Sequence, residues 1–208
     1  MRGFFISVEG SDGSGKSTQI KKIDAYLKSK SQEVLLTREP GGTVISEKIR
    51  ELLLDPSHKE MKAKTEMLLY AAARAQHLEE FILPNLQAGK HVLTDRFTDS
   101  SIAYQGFGRG LGEIVAEVNR IATGGISPDI TFFLEVSPET GISRKKSEEN
   151  HEMDRLEQEK QEFHHRVYNG YKTLSNLEGQ RICPIDASEG IEAVFSQIKV
   201  ELDKLFGF

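Results

Sequence analysis

The chain has 208 residues, 38% hydrophobic and 28% charged, with a net charge of -5. That length fits one domain, spanning 1–208, with room for a substantial core, and the acidic balance excludes a general attraction for nucleic acid or an anionic membrane, so an anionic ligand must be met by local basic residues. The one cysteine, Cys183, excludes an intrachain disulfide and a multi-thiolate zinc site, and it points to a reducing, cytoplasmic setting.

In chain order, Phe4-Phe5-Ile6-Ser7-Val8 is a short apolar run that stops at a glycine-rich loop and predicts a buried strand. It is shorter than the apolar core of about 7–15 residues that a signal peptide needs. No run approaches the ~20 apolar residues of a membrane span. Ile20, Ile23 and Leu27 fall at helical spacing, and the helix ends at Lys28-Ser29-Lys30. Val34-Leu35-Leu36-Thr37 is a second strand, stopped by Pro40-Gly41-Gly42. A helix over 44–54 ends before Asp55-Pro56. A longer one covers 64 to about 86, bent or broken near Pro84. Val92-Leu93-Thr94 is a third strand ending at Asp95. Helical patterns over 97–106 and 111–123 are separated by glycines. A strand over 130–134, helices over about 138–147 and 155–178, a last strand over 181–185 and a helix over 191–205 complete the chain.

Short apolar strands alternating with helices predict an α/β fold, a parallel sheet covered on both faces. Ligands of such sheets sit beyond the carboxyl ends of the strands. Four features are expected to converge there: the loop 10–17, Arg38, Asp95-Arg96 and Asp186-Ala187-Ser188.

The loop Gly10-Ser11-Asp12-Gly13-Ser14-Gly15-Lys16-Ser17, followed by Thr18, matches the full P-loop spacing, with a strand before it and a helix after it. Glycines allow a tight turn whose backbone N–H groups point inward, and the helix N-terminus adds positive potential. Lys16 is expected on the β- and γ-phosphates of ATP, and Ser17 on Mg²⁺.

Other residues suit an acceptor. Arg38 stands where the second strand ends and can aim a rigid fork at a phosphate; a salt bridge to Glu39 or another carboxylate is the alternative. Tyr70 and Arg74 share a helix face with three alanines between them, which reads as a base pocket or as close helix packing. Asp95 takes the place of a Walker-B acid near the metal, or caps the next helix. Arg96 points to the same cleft, and Ser101, Tyr104 and Gln105 are close on one helical surface. Arg144-Lys145-Lys146 and the polar stretch through Asp154-Arg155-Leu156-Glu157 read as a lid over about 144–155, or as solvated helix ends.

Together, Val8-Glu9-Gly10 running into the P-loop, Thr37-Arg38-Glu39-Pro40-Gly41-Gly42-Thr43, Tyr70-Ala71-Ala72-Ala73-Arg74, Asp95-Arg96-Phe97, Ala103-Tyr104-Gln105-Gly106 and Asp154-Arg155-Leu156-Glu157 resemble the thymidylate kinase family in order and spacing. The resemblance covers essentially the whole chain. It implies the P-loop nucleoside monophosphate kinase fold, with a five-stranded parallel sheet, and a homodimer. The implied reaction is transfer of the γ-phosphoryl group of ATP to dTMP, giving ADP and dTDP, with Mg²⁺. By the family pattern, Arg38 and Arg96 hold the acceptor phosphate, Tyr70 stacks on thymine and Arg74 bonds its edge. Ser101 and Gln105 face the base, and Tyr104 crowds the 2′ position. Asp12 matches an acidic position near the acceptor, and Ala187, with Arg144, belongs to the adenine side.

Between Gly10 and Lys16 no residue is basic. The resemblance is therefore to the bacterial type, in which a lid residue supplies the catalytic cation. Such lids are often arginine-rich, whereas Ser147-Glu148-Glu149-Asn150-His151-Glu152 is acidic and polar. The candidates are Arg144, Lys145, Lys146 and Arg155, with Arg155 favoured. A kinase of another monophosphate, a P-loop switch that hydrolyses ATP, and a binding module without catalysis are the competing readings.

Overall fold

The computed structural model describes residues 2–147 and 153–208. Five strands form one parallel sheet: β1 (Phe5–Glu9), β2 (Val34–Arg38), β3 (His91–Asp95), β4 (Ile130–Glu135) and β5 (Ile182–Asp186). Their order across the sheet is β2-β3-β1-β4-β5. β1 is central, with Ser7 in register with Thr94 of β3 on one side and Thr131 of β4 on the other. All five therefore end on one side, and the loops that follow them share that edge.

The helices are α1 (Lys16–Ser29), α2 (Val44–Leu54), α3 (Ala63–His77), α4 (Leu83–Gln87), α5 (Thr98–Ser101), α6 (Ile114–Thr123), α7 (Pro138–Lys146), α8 (Gln161–Leu177) and α9 (Ile191–Phe206). Strand side chains alternate between faces, so each sheet face has its own core. On one, Ile6, Val8, Phe132 and Leu134 pack against Ile23 and Leu27 of α1 and Ile198 and Leu202 of α9. On the other, Phe133 meets Phe163, Val167 and Tyr171 of α8, while Phe5 and Val92 meet Leu78, Ile82 and Leu86. Burying apolar side chains of this size contributes roughly 1.5–3 kcal/mol each, which holds both helical layers to the sheet. Among the described residues, no helix is long and apolar enough to cross a membrane.

The five strands lie where the sequence predicts them, within a residue at each end. Three helical expectations are corrected. The long helix is not broken at Pro84: it changes to a π-helical turn over Leu78–Ile82, closed by the Leu83 N–H donating to the Leu78 carbonyl, and Pro84 sits in the first turn of α4. A missing N–H is harmless in a first turn. The segment expected as one helix over 97–106 is α5 running into a second π-helical turn, Ile102–Gly108. The helix expected from 155 begins at Gln161. Before it, the Asp154 carboxylate accepts from the N–H groups of Leu156 and Glu157 and holds the chain in turns. Of the expected lid, 148–152 lie outside the described residues.

Candidate active site

The loop between β1 and α1 is built for backbone donors. Gly15 caps α1 at φ 94, a left-handed value that glycine adopts without a Cβ penalty. Gly13 lies so close to α7 that an added Cβ would stand 2.1 Å from the Gly141 carbonyl oxygen. Lys16 folds back over the loop, its Nζ donating to the carbonyls of Gly10 and Ser11 at 3.1 Å each. Burial and the nearby Arg96 guanidinium pull its pKa below the ordinary lysine value.

Beyond the ends of β1, β2 and β3 lies a cleft of about 480 Å³. Asp12, Gly13, Gly15, Lys16, Ser17 and Thr18, from the loop after β1 and the start of α1, line it. Arg38, Tyr70, Arg74, Asp95, Arg96, Ser101, Tyr104 and Gln105 line it as well. The structure thus brings together in one cavity residues spread from 12 to 105. Of the four features expected to converge, the fourth does not join them. Asp186 and Ser188 border a separate depression with Glu135 and Tyr168, and Ala187 is tied to α7 by its carbonyl accepting from Arg144 Nη1 at 3.0 Å.

Arg96 is the centre of the cleft. It adopts φ 73, uncommon for a residue with a side chain. Glu9, fully buried at the end of β1, holds that turn by accepting from Phe97 N–H at 2.6 Å, Ser100 Oγ at 2.5 Å and Tyr171 OH at 2.8 Å. Burial, with Asp99 nearby, pushes the Glu9 carboxyl up to about 7. Arg96 Nη1 donates to the Gly10 carbonyl, and Nη2 to Asp12 Oδ1 at 2.7 Å and to the Tyr104 hydroxyl at 3.2 Å. Burial opposes charge on both partners, yet Arg96 and Lys16 bring Asp12 down to about 2, while Tyr104 and Asp12 hold Arg96 well above its ordinary value.

Arg38 is half exposed and pairs with Glu47 at 2.8 Å rather than with Glu39. Glu39, next to the cis Glu39–Pro40 bond, is buried between Arg74 Nε at 2.7 Å and His77 Nδ1 at 3.0 Å. Arg74 is itself buried, with Nη1 donating to Ser101 Oγ and Asn119 Oδ1 and Nη2 to the Phe97 carbonyl. Its guanidinium is locked in place at the wall of the cleft that Tyr70 also lines. Asp95 does not cap the next helix, whose N-cap is Phe97. Instead, Asp95 Oδ1 is buried without a hydrogen-bond partner among the described residues. An orphaned carboxylate oxygen on a residue that lines the same cleft as Ser17 suits a hard cation held partly by water and phosphate, as Mg²⁺ is. Among the described residues there is no cluster of three or more His, Cys, Asp or Glu to cage a metal.

Arg155, favoured for the lid cation, is not among the residues that line the cleft, and its Nη2 has no hydrogen-bond partner among the described residues. It is buried, with Nε donating to the Leu53 carbonyl at 2.8 Å and Nη1 to Glu66 Oε2 at 2.7 Å. A buried guanidinium goes where carboxylate and carbonyl oxygens can pair with it, and here those lie on α2 and α3. Lys145 of α7 lines the cleft instead, 3.7 Å from Glu157 and close enough to Asp12 to help lower its pKa. Two residues that the sequence reading passed over also matter. Arg50 of α2 lines the cleft, donates to the Pro40 carbonyl at 2.9 Å, and has its pKa lowered by burial and by Arg38. Glu9 was available as an acid ending an apolar strand.

Set beside known proteins, residues 8–198 match a family model described as thymidylate kinase. The chain is similar to the thymidylate kinase of Lactobacillus helveticus (strain DPC 4571), 52% identical over 98% of this chain and 97% of that one. It is 46% identical to that of Geobacillus sp. (strain WCH70) over the full length of both. Its fold resembles the crystal structure of thymidylate kinase from Ehrlichia chaffeensis, with a TM-score of 0.78 and 31% identity over 98% of this chain and 99% of the other.

Proposed function

The chain belongs to the thymidylate kinase family, and from that premise we propose how its cleft divides between two substrates. It passes the γ-phosphoryl group of ATP to dTMP, leaving ADP and dTDP, a step in dTTP synthesis. The donor end is the loop Gly10–Ser17 with Thr18: its backbone N–H groups cradle the triphosphate, and Lys16 swings from its two carbonyls onto the β- and γ-phosphates. Arg144 and the Ala187 backbone flank the adenine. Ser17 and Asp95 would hold Mg²⁺, a reading supported by the orphaned Asp95 oxygen. When bound, the ion neutralises charge on the phosphates.

At the acceptor end, Arg38 and Arg96 grip the dTMP phosphate, with Arg50 beside Arg38. Tyr70 covers the base, Arg74, Ser101 and Gln105 meet its edge, and Tyr104 occupies the space a 2′-hydroxyl would need. A phosphate oxygen of dTMP attacks the γ-phosphorus as the bond to the β-phosphate oxygen breaks. The dianion is already a nucleophile, so the work of the protein is alignment and charge compensation. Asp12 orients Arg96 rather than acting as a base. Lys145 takes the lid-cation role first assigned to Arg155.

The enzyme acts as a cytoplasmic homodimer. The dimer is supported by Leu52 of α2, Leu68 of α3 and Ile121 of α6, large apolar side chains left exposed on neighbouring helices.

The observation that carries the two-substrate reading is the Asp12–Arg96 pair, which joins the triphosphate loop to the acceptor arginine within one cavity. The test is ADP release from ATP with a panel of acceptors. dTMP is expected to exceed dUMP, dCMP, AMP and free thymidine. Steady hydrolysis of ATP without any monophosphate would favour a switch instead.

A further inference from the structure

We propose that Glu66 is a positioning residue that sets which way the Gln105 amide faces, and so makes the acceptor site select a base with an N–H at ring position 3. The inference rests on the placement of Gln105 against the base given above.

Glu66 stands four and eight residues before Tyr70 and Arg74 on one face of α3, and it is fully buried. Its Oε1 accepts from Gln105 Nε2 at 2.9 Å and Arg109 Nε at 3.2 Å. Its Oε2 accepts from Arg109 Nη2 at 2.9 Å and Arg155 Nη1 at 2.7 Å. Burial alone would raise its pKa, but the Arg109 contacts, aided by Gln105 and Arg155, bring it below the usual carboxylate value. Glu66 is therefore ionised and can only accept.

An amide has one face that donates and one that accepts, and the two are nearly isosteric. Beside an acceptor-only carboxylate, Gln105 must turn its NH₂ inward. Its carbonyl Oε1, which accepts nothing from the described residues, is left to the cleft that Gln105 lines. Thymine and uracil present N3–H, a donor, to such an oxygen. Cytosine presents a lone pair at N3, which the oxygen repels. Without Glu66 the amide could reverse and donate to cytosine. Arg74 works in the same sense, since its donors match the 4-oxo group of thymine and not the 4-amino group of cytosine. The pair does not separate thymine from uracil.

The test is the ratio of kcat/KM for dTMP over dCMP in the intact enzyme. Glu66→Gln keeps the shape but offers Gln105 either face, so this ratio is expected to fall tenfold or more, while dTMP over dUMP is unchanged. Arg109→Met leaves Glu66 charged by Arg155 and is expected to lower thermal stability while keeping the dTMP/dCMP ratio. A Glu66 that only supports the fold would slow all acceptors alike. If Glu66→Gln keeps the ratio while Gln105→Ala loses it, the inference is overturned and the base contact stands. If Gln105→Ala also keeps it, the placement of Gln105 is what fails. Should Glu66→Gln not fold, neutron diffraction of the wild-type protein with dTMP decides: deuterons of Gln105 Nε2 facing Glu66 support the inference, and the reverse orientation overturns it.

Discussion

Asp12 Oδ1 and Arg96 Nη2 meet at 2.7 Å, so the loop after β1 and the turn after β3 share one ion pair. The Tyr104 hydroxyl touches both partners at 3.2 Å. An arginine at φ 73 is thereby aimed by an acid from the neighbouring strand's loop, by Tyr104, and by the Glu9 network beneath it. Anything that moves the loop after β1 moves Arg96 with it.

The pair makes stability depend on acid. The folded pKa of Asp12 is about 2 against an ordinary 3.8. As pH falls the unfolded chain takes up this proton first, so the contribution is present above pH ~4 and is lost between ~4 and ~2. At about 1.4 kcal/mol per pH unit, it amounts to at most roughly 2 kcal/mol, because Asp12 keeps some contact with solvent. Urea midpoints measured from pH 5 to pH 2 are expected to fall less steeply for Asp12→Asn than for the wild type. Parallel curves would remove this role.

Arg74→Ala is expected to act on stability as well as on dTMP. It leaves Glu39 buried beside His77 and strips partners from Ser101 and Asn119. Breaking a buried pair costs about 3–5 kcal/mol, which in a chain of this size lowers the melting temperature on the order of 10 °C. Calorimetry checks it. A variant that melts like the wild type and merely binds dTMP weakly would mean the buried network is of little account.

Lys145→Ala and Arg155→Met separate the cleft cation from the structural one. The first is expected to lower kcat on the order of a hundredfold with little change in melting temperature, in line with removal of one charge-stabilising group. The second leaves Glu66 with Arg109 and is expected to lower stability first. The opposite pattern, with Arg155→Met folded normally but slow, would return the lid role to Arg155.

Sedimentation of the wild type is expected to give a dimer, and of Leu68→Arg with Ile121→Arg a monomer, since two charges cannot be buried unpaired in an apolar contact. Should both sediment alike, the dimer face lies elsewhere.

The loop after β1 and its place in the cleft were legible in the chain because its physics is local. Eight consecutive residues, Gly10 to Ser17, carry the turn, the donors and the lysine, and short apolar runs spaced by helices imply a parallel sheet whose strands end together. Asp95 and Arg96 could be placed for the same reason, since each follows directly on a strand. Where a long side chain ends is another matter. Arg155 stands in a polar stretch that reads as a lid, yet its guanidinium is taken by oxygens 89 and 102 residues away, on Glu66 and Leu53. Glu66 looks like any acid on a helix until Gln105, Arg109 and Arg155 are folded around it, and Arg50 gains a role only once α2 lies over the Pro40 turn. The sequence determined the strands, the loop after β1 and most of the residues that line the cleft. Tertiary structure alone decided which charges face the cleft and which pair inside, because a buried ion is stable only where partners distant in the chain surround it.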